Sequence, residues 1–114
     1  MNTRKTNPPF LNGVPELLIL KLLSRKEMYG YEIVKEIQLS TNEILSFGEG
    51  SVYPILHALE KNGFLAGHRK VMGGRSRLYY AITKAGLAKL ENMSKAWEQT
   101  AEGVRLALGG GYVS

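Results

Sequence analysis

The stretch from Gly50 to Gly63, GSVYPILHALEKNG, decides the fold of this chain because its side chains divide between two helical faces of different chemistry. Apolar residues recur at the i, i+3, i+4, i+7 spacing of a helix that packs on a core. They are Val52, Ile55, Leu56 and Leu59, and the opposite face carries Pro54, His57 and Lys61. Ser51 is a candidate N-cap with Pro54 in the first turn, and Asn62-Gly63 ends the helix. The pattern predicts a helix that is buried on one side and exposed on the other.

Two further helices are predicted before this stretch. Residues 14–24, VPELLILKLLS, begin with a proline in the first turn and are apolar on nearly every side, so other helices and a second subunit are expected to cover them. Residues 29–40, YGYEIVKEIQLS, form the second helix, whose inward stripe is Ile33, Val34 and Ile37. A short, partly apolar connection, residues 41–48, leads into the helix quoted first. This arrangement is typical of a helix-turn-helix.

A β-hairpin is predicted after the helix quoted first. The extended runs 64–72 and 75–82 are separated by Gly73-Gly74, which is a hairpin signal. In the second run Leu78, Tyr80 and Ile82 alternate with Arg77, Tyr79 and Ala81, as in a half-buried strand. The hairpin has a basic, glycine-rich tip, so it resembles the wing of a winged helix.

The last predicted helix runs from Lys84 to Leu108, with Thr83 as its N-cap. Its apolar residues recur at the alternating three- and four-residue spacing of a coiled-coil seam, which indicates a partner helix. The seam consists of Leu90, Met93, Trp97, Ala101, Val104 and Leu108. The expected partner is a second copy of the chain, and the helix is then the dimerisation helix of a homodimer.

The basic residues are concentrated in one part of the chain. The formal net charge is +5, and seven basic residues lie between Lys61 and Lys89, where no acidic residue occurs before Glu91. Such a run is typical of a surface that binds a polyanion. A solvated basic face that keeps the protein soluble is the alternative interpretation.

The composition argues against a disulfide-bonded protein, a membrane-spanning protein and an enzyme. The 114 residues suffice for one compact domain, the chain contains no Cys, and its start does not resemble a signal peptide. No apolar run approaches the roughly 20 residues that span a bilayer, so we expect a cytoplasmic protein without a membrane partner. The sequence contains no Asp and no metal-ligand, nucleophile or phosphate-loop motif, which predicts neither an enzyme nor a cofactor.

The predicted fold is therefore mainly α with a small β-hairpin (α+β), a winged helix-turn-helix with a long C-terminal dimerisation helix. The expected organisation is an N-terminal arm or short helix (1–12), the winged helix-turn-helix (13–82), the dimerisation helix (83–108) and a flexible tail (109–114). A helix fits the major groove of double-stranded DNA, where its exposed side chains can contact base edges. Lys61 is included among the expected DNA contacts, and the wing residues Lys70, Arg75 and Arg77 can reach phosphates or the adjacent minor groove. A two-fold dimer predicts a pseudo-palindromic operator.

Four blocks in this order resemble the PadR-like bacterial transcriptional regulators, in particular their small members with a single C-terminal helix. The blocks are ELLILKLL, YGYEI, EGSVYPILHALEKNG and GGRSRLYYAITKAG. Pro15 and the triple-glycine tail depart from the family pattern. The resemblance implies a homodimeric repressor that a small ligand or a stress signal releases from DNA. It assigns DNA contacts to Tyr31, Ser51, Tyr53, Pro54, His57, Arg75 and Arg77.

The resemblance also implies a role for Trp97, which matches a tryptophan that pairs with its twin and stacks on flat aromatic ligands. A planar aromatic small molecule is thus an expected partner, with Phe10, Leu18 and Met93 as neighbours of Trp97. Packing of the dimer seam is the alternative role for this side chain.

A function in another class remains open from the sequence. A winged-helix adaptor would bind a protein or RNA without recognising an operator, and it would be expected to expose large apolar anchors on the helix quoted first. That face carries Pro54, His57 and Lys61 instead. Three roles are open for His57 itself: a base contact, a phosphate contact or a solvated side chain.

Overall fold

The computed structural model describes residues 13–109, which form four helices and three strands. The predicted arm (1–12), which includes Phe10, and residues 110–114 of the tail lie outside this range. The elements are α1 (Val14–Leu23), β1 (Met28–Tyr29), α2 (Gly30–Ser40), α3 (Glu49–Lys61), β2 (Leu65–Met72), β3 (Arg75–Ile82) and α4 (Lys84–Ala107). The predicted mixed fold, a helical body with a small antiparallel β-structure, is confirmed.

One apolar core holds the three N-terminal helices, the sheet and the start of α4 together. The predicted stripes of α2 and α3 are buried in it, and α1 contributes four buried side chains. α1 packs against α2, α4 and β3 of its own chain. The chain itself therefore covers much of the helix that the sequence suggested would need a second subunit.

α3 begins earlier than its sequence suggested. The helix starts at Glu49 after the N-cap Gly48, which provides no side-chain cap, and Ser51 lies within the first turn. The prediction of Ser51 as N-cap is therefore wrong, and so is the placing of Pro54 in the first turn. Pro54 lies inside the helix, where it has no N–H to donate to the carbonyl of Gly50. The helix ends as predicted, with Asn62 as its C-cap.

The sheet has three strands, in the order β1-β3-β2, and all neighbours are antiparallel. The hairpin of β2 and β3 has the predicted bounds to within one residue, but β1 was not predicted. β1 pairs with the centre of β3, where Tyr29 lies opposite Tyr79. As a result Tyr79 is buried like Tyr80, although strict alternation predicted an exposed side chain at position 79.

Thr83 joins α3, the hairpin and α4 at one point. Its hydroxyl donates to the carbonyl of Gly63 at 2.7 Å and accepts from the N–H of Gly86 at 3.0 Å, which confirms it as the N-cap of α4. Gly86 is buried so tightly that a Cβ there would lie 2.2 Å from the carbonyl oxygen of Phe64. The junction between α3 and α4 is thus fixed by both hydrogen bonds and close packing.

α4 is anchored only at its start. Leu90 is buried in the core of its own chain, so the prediction that it contributes to a dimer seam needs correction. Every residue from Lys95 to Gly109 is exposed, and the described residues extend over 58 × 40 × 20 Å. No helix within residues 13–109 has the length and apolar character needed to cross a membrane.

Candidate nucleic-acid interface

The exposed face of α3 carries polar side chains along its whole length. Ser51, Pro54, His57 and Lys61 are all exposed, and they form what we call the reading face. The other side of the helix is fixed by Val52, Leu56 and Leu59, which are at most 2% exposed. Because the buried side fixes the helix against the core, the exposed side chains have a defined orientation.

Tyr53 lies at the edge of the reading face and packs against the start of α2. Its ring closes over Gly30, where an added Cβ would lie 2.4 Å from Cε1 of the tyrosine. The centroids of its ring and that of His57 are 6.5 Å apart, and both rings line a cleft of about 170 Å³ with Leu78 and Tyr80. Burial raises the pKa of Tyr53, and the charge of Glu49 adds to this effect. The phenol is therefore a neutral hydrogen-bonding group at the edge of the reading face.

Tyr31 is the predicted DNA contact on α2. Its side chain is 49% exposed, and the ammonium of Lys35 lies 5.9 Å from its ring centroid. In a helix-turn-helix the helix before the recognition helix crosses the phosphate backbone. Tyr31 and Lys35 are placed on the helix that has this role.

We refer to the hairpin of β2 and β3 as the wing. Arg75 is exposed at its tip, beside Gly73 and Gly74, which both have positive φ. The guanidinium of Arg77 lies 4.5 Å from the ring centroid of Tyr29, so the ring of β1 orients it. Neither arginine pairs with a carboxylate within the described part of the chain. Both remain available for phosphates.

Lys70, the third predicted wing cation, has a carboxylate partner. Glu27, in the turn between α1 and β1, accepts from the Lys70 ammonium at 2.5 Å and contacts Nε2 of His68 at 2.7 Å. The Lys70 hydrogen bond lowers the pKa of Glu27, and the same bond raises the pKa of Lys70. His68 is therefore part of this group as well. We call these three residues the Glu27 clamp.

A shallow groove of about 270 Å³ lies between the start of α1 and the middle of α4. Its lining includes Met93 and Trp97, two of the residues predicted for a ligand site. Leu18 packs half-buried against the core instead, and Phe10 lies outside the described residues. The other lining residues are Gly13, Val14, Leu17, Ala96 and Thr100. Leu17 was not singled out from the sequence because α1 is apolar on so many sides.

Four other residues of the predicted seam are exposed on α4. Trp97 is 49% exposed, Val104 52% and Leu108 83%, and Ala101 is exposed as well. Met93 is partly buried against the core. Trp97, Ala101, Val104 and Leu108 recur at seam spacing along the exposed half of the helix, where they leave an apolar stripe.

Comparison with known proteins identifies the family. The model of the transcriptional regulator PadR-like family matches residues 19–92. A transcriptional regulator of Mycobacterium tuberculosis is 33% identical over 101 residues, which cover 89% of this chain and 89% of the relative. An uncharacterized protein of Lysinibacillus sphaericus is 35% identical over 101 residues, which cover 88% of this chain and 93% of the relative.

Comparison with solved structures leads to the same family. The crystal structure of a PadR-like transcriptional regulator from Bacillus cereus has a TM-score of 0.78 at 33% identity, covering 91% of this chain and all of the other. Bacillus subtilis PadR in complex with operator DNA has a TM-score of 0.64 at 26% identity, covering 70% of this chain and 46% of that one. The predicted resemblance is thus confirmed, and the chain belongs to the PadR-like family, whose members are DNA-binding transcriptional regulators and not enzymes.

Proposed function

We propose that this chain is a homodimeric repressor that binds a pseudo-palindromic operator in the cytoplasm and is released by a planar aromatic ligand or a stress signal. The observation that carries the proposal is the reading face, a row of exposed and mostly polar residues on a helix whose other side is buried in the core. The operator complex of Bacillus subtilis PadR, a structural neighbour, supports duplex DNA as the partner.

Base contacts are assigned to the reading face and the residue beside it. Ser51 and His57 can each hydrogen-bond to base edges in the major groove, and Pro54 can make apolar contact there. Tyr53 offers a neutral phenol from the same surface. These four side chains are the ones we expect to determine which sequence is bound.

Phosphate contacts are assigned to the end of the reading face and to two other elements. Lys61 is the last residue of that face, Tyr31 lies on α2, and Arg75 and Arg77 lie on the wing. Such contacts supply affinity and register but carry no sequence information. The wing should therefore strengthen binding to all duplexes alike.

Dimerisation is assigned to the exposed half of α4. Its apolar stripe is unusual for a helix surface in water, and a second copy of the same stripe would cover it in a parallel or antiparallel pair. A two-fold dimer places two reading faces about 34–36 Å apart, one turn of the duplex. The operator is then expected to contain two inverted half-sites.

The ligand site is assigned to the groove beside Trp97. Its lining contains an indole, several aliphatic side chains and the hydroxyl of Thr100, but no ionisable side chain among the described residues. A neutral, flat aromatic compound fits such a lining best, because the indole offers a stacking face and Thr100 a single hydrogen bond. The groove lies against the same helix that carries the seam.

Selection of bound duplexes from random DNA tests the proposal directly. We expect an enriched motif of two inverted half-sites. Changing Arg75 and Arg77 together to glutamine should weaken binding to all duplexes and flatten the log–log salt dependence by up to about 1.8, since each phosphate contact contributes about 0.9. His57→Ala should change the enriched motif instead.

Two outcomes would contradict the proposal. A selection that enriches no sequence, with binding insensitive to salt, would favour the adaptor function without operator recognition. An enriched motif without inverted symmetry would preserve DNA recognition but contradict the two-fold dimer. The wing assignment fails if the double arginine variant binds every duplex as the unchanged protein does.

A further inference from the structure

The outer face of the wing gathers cationic side chains on neighbouring strands. The pairing of β2 with β3 sets His68 opposite Tyr79 and Lys70 opposite Arg77. Residues two apart on a strand point to the same side, so these four side chains share one face of the sheet. Like charges directly opposite each other, such as Lys70 and Arg77, destabilise a sheet unless something compensates them.

Two aromatic rings separate these two cations. The ammonium of Lys70 lies 4.7 Å from the ring centroid of Tyr79, and the guanidinium of Arg77 lies over Tyr29. The two rings meet edge to face with their centroids 5.4 Å apart. Each cation therefore lies over a ring of its own, and one of these rings, that of Tyr29, belongs to the short strand β1.

Glu27 gives Lys70 a carboxylate partner that Arg77 does not have among the described residues. Its carboxylate holds Lys70 and His68, whereas the arginines of the wing have no carboxylate partner among residues 13–109. Glu27 and Lys70 are part-buried, with 33% and 38% of their side chains exposed, and an ion pair that solvent still reaches contributes little to stability. Its clearest effect is on the charge that the wing offers to DNA.

We propose that Glu27 is a positioning residue for DNA binding, which keeps Lys70 on Tyr79 and away from the phosphate backbone. This inference rests on the proposed function of the wing. Phosphate contacts supply nearly all of the affinity for non-specific DNA, so one withheld cation lowers that affinity at every site. Base contacts by α3 are unaffected, so affinity for the operator and for a random duplex is lowered by the same factor.

Glu27→Gln removes the charge of the clamp with little change of shape. We expect the log–log salt slope for a random duplex to steepen by about 0.9, the contribution of one additional phosphate contact. The affinities for the operator and for the random duplex should rise by the same factor. Glu91→Gln is the matched control, because it also removes one carboxylate and releases one lysine, Lys95, but on α4. Its salt slope should equal that of the unchanged protein.

Lys70→Gln provides the second measurement. If Glu27 withholds Lys70 from DNA, this substitution alone leaves the salt slope unchanged, whereas in the Glu27→Gln background it removes the added 0.9 or so. Salt slopes measure phosphate neutralisation, which a purely structural role of the clamp would not change. Thermal unfolding of each variant establishes that the fold is retained.

The inference is overturned if Lys70→Gln alone flattens the slope by about 0.9, because Lys70 then already contacts phosphate. It is equally overturned if Glu27→Gln and Glu91→Gln have the same slope. Failure of the proposed function looks different, since the unchanged protein would then show no salt-dependent DNA binding at all.

Discussion

A methyl group added to Gly30 would lie 2.4 Å from Cε1 and 2.9 Å from the hydroxyl oxygen of Tyr53. Both distances are shorter than van der Waals contact, so the ring keeps its position only because residue 30 has no side chain. Tyr53 belongs to the predicted DNA contacts. At the scale of single residues, a glycine on α2 thus determines where a tyrosine on α3 points.

We expect Gly30→Ala to displace the Tyr53 ring towards solvent and to weaken operator binding. Overpacking of this kind costs about 1–3 kcal/mol, with the lower end expected here because the ring is partly exposed. In a Tyr53→Ala background the same substitution should be neutral or stabilising, since alanine favours a helix over glycine by up to about 1 kcal/mol. Chemical denaturation and operator titration of the four proteins measure this coupling.

Gly103→Ala is the control for helix propensity, because a Cβ at Gly103 meets nothing within 4 Å. It should stabilise the protein and leave operator binding unchanged. Equal destabilisation by Gly30→Ala with and without the Tyr53 ring would mean that the backbone of α2, and not the tyrosine, requires the glycine.

At the scale of elements, the first and second halves of α4 have different surroundings. Its first turns are anchored by Thr83, Gly86 and Leu90 within the chain, whereas its residues from Lys95 to Ala107 are all exposed. The sequence predicted a continuous seam, because spacing alone does not distinguish a residue that packs inside its own chain from one that packs on a partner. The proposed dimer interface therefore begins beyond Leu90.

Val104→Asp tests that interface. A carboxylate at this position would be buried without a partner between two apolar stripes, which costs several kcal/mol. We expect the dissociation constant of the dimer to rise roughly tenfold or more, at 1.4 kcal/mol per factor of ten, and operator affinity to fall with it. Sedimentation velocity over a range of concentrations measures the first effect.

Gln99→Asp adds the same charge to α4 outside the seam and should leave the dimer intact. If Val104→Asp sediments as the unchanged protein does, the exposed stripe is not the interface. An unchanged thermal transition of the dissociated variant at high dilution would show that the fold of each subunit does not depend on its partner.

The elements also show what local patterns can predict. The buried stripe of α3 and both long strands follow from periods of about 3.6 and 2 residues, which the sequence displays directly. The start of α3 does not, because Gly48 forms the cap without a side-chain bond while the better capping residue, Ser51, lies inside the helix. β1 has only two residues, too few for any alternation to appear.

At the scale of the whole molecule, the features that sequence patterns miss are contacts between distant parts of the chain. Lys70 and Glu27 are 43 positions apart, and no local pattern links them. Gly30 and Tyr53 come from different helices, and Leu17 of α1 lines the same groove as Trp97 of α4. The reading face was predicted well because it depends on the periodicity of a single helix.

Binding at the Trp97 groove should be coupled to operator binding across the molecule. We expect neutral planar aromatic compounds to quench the emission of Trp97, the only tryptophan of the chain, and to lower operator affinity. Linkage requires the operator to lower the affinity for the compound by the same factor, typically about 5–150-fold for coupled sites. Fluorescence titration with and without operator measures both directions.

Charged analogues of the same compounds serve as controls and should bind more weakly, because the described lining has no ionisable side chain. Quenching without any change in operator affinity would show that the groove binds the compound but does not regulate DNA binding. Absence of quenching over a broad set of neutral compounds would leave Trp97 with the packing role alone.

The junction at Thr83 and Gly86 has a mechanical consequence. With the Phe64 carbonyl pressed against Gly86 and the threonine bonded on both sides, α4 and the end of α3 move as one rigid body. A helix of 24 residues is about 36 Å long, so a tilt of about 5° at one end displaces the other by about 3 Å. Hydrogen bonds to bases do not survive such a displacement. α4 is then a lever arm, and an effector that rotates the dimer contact by a few degrees needs neither to unfold nor to order any part of the chain.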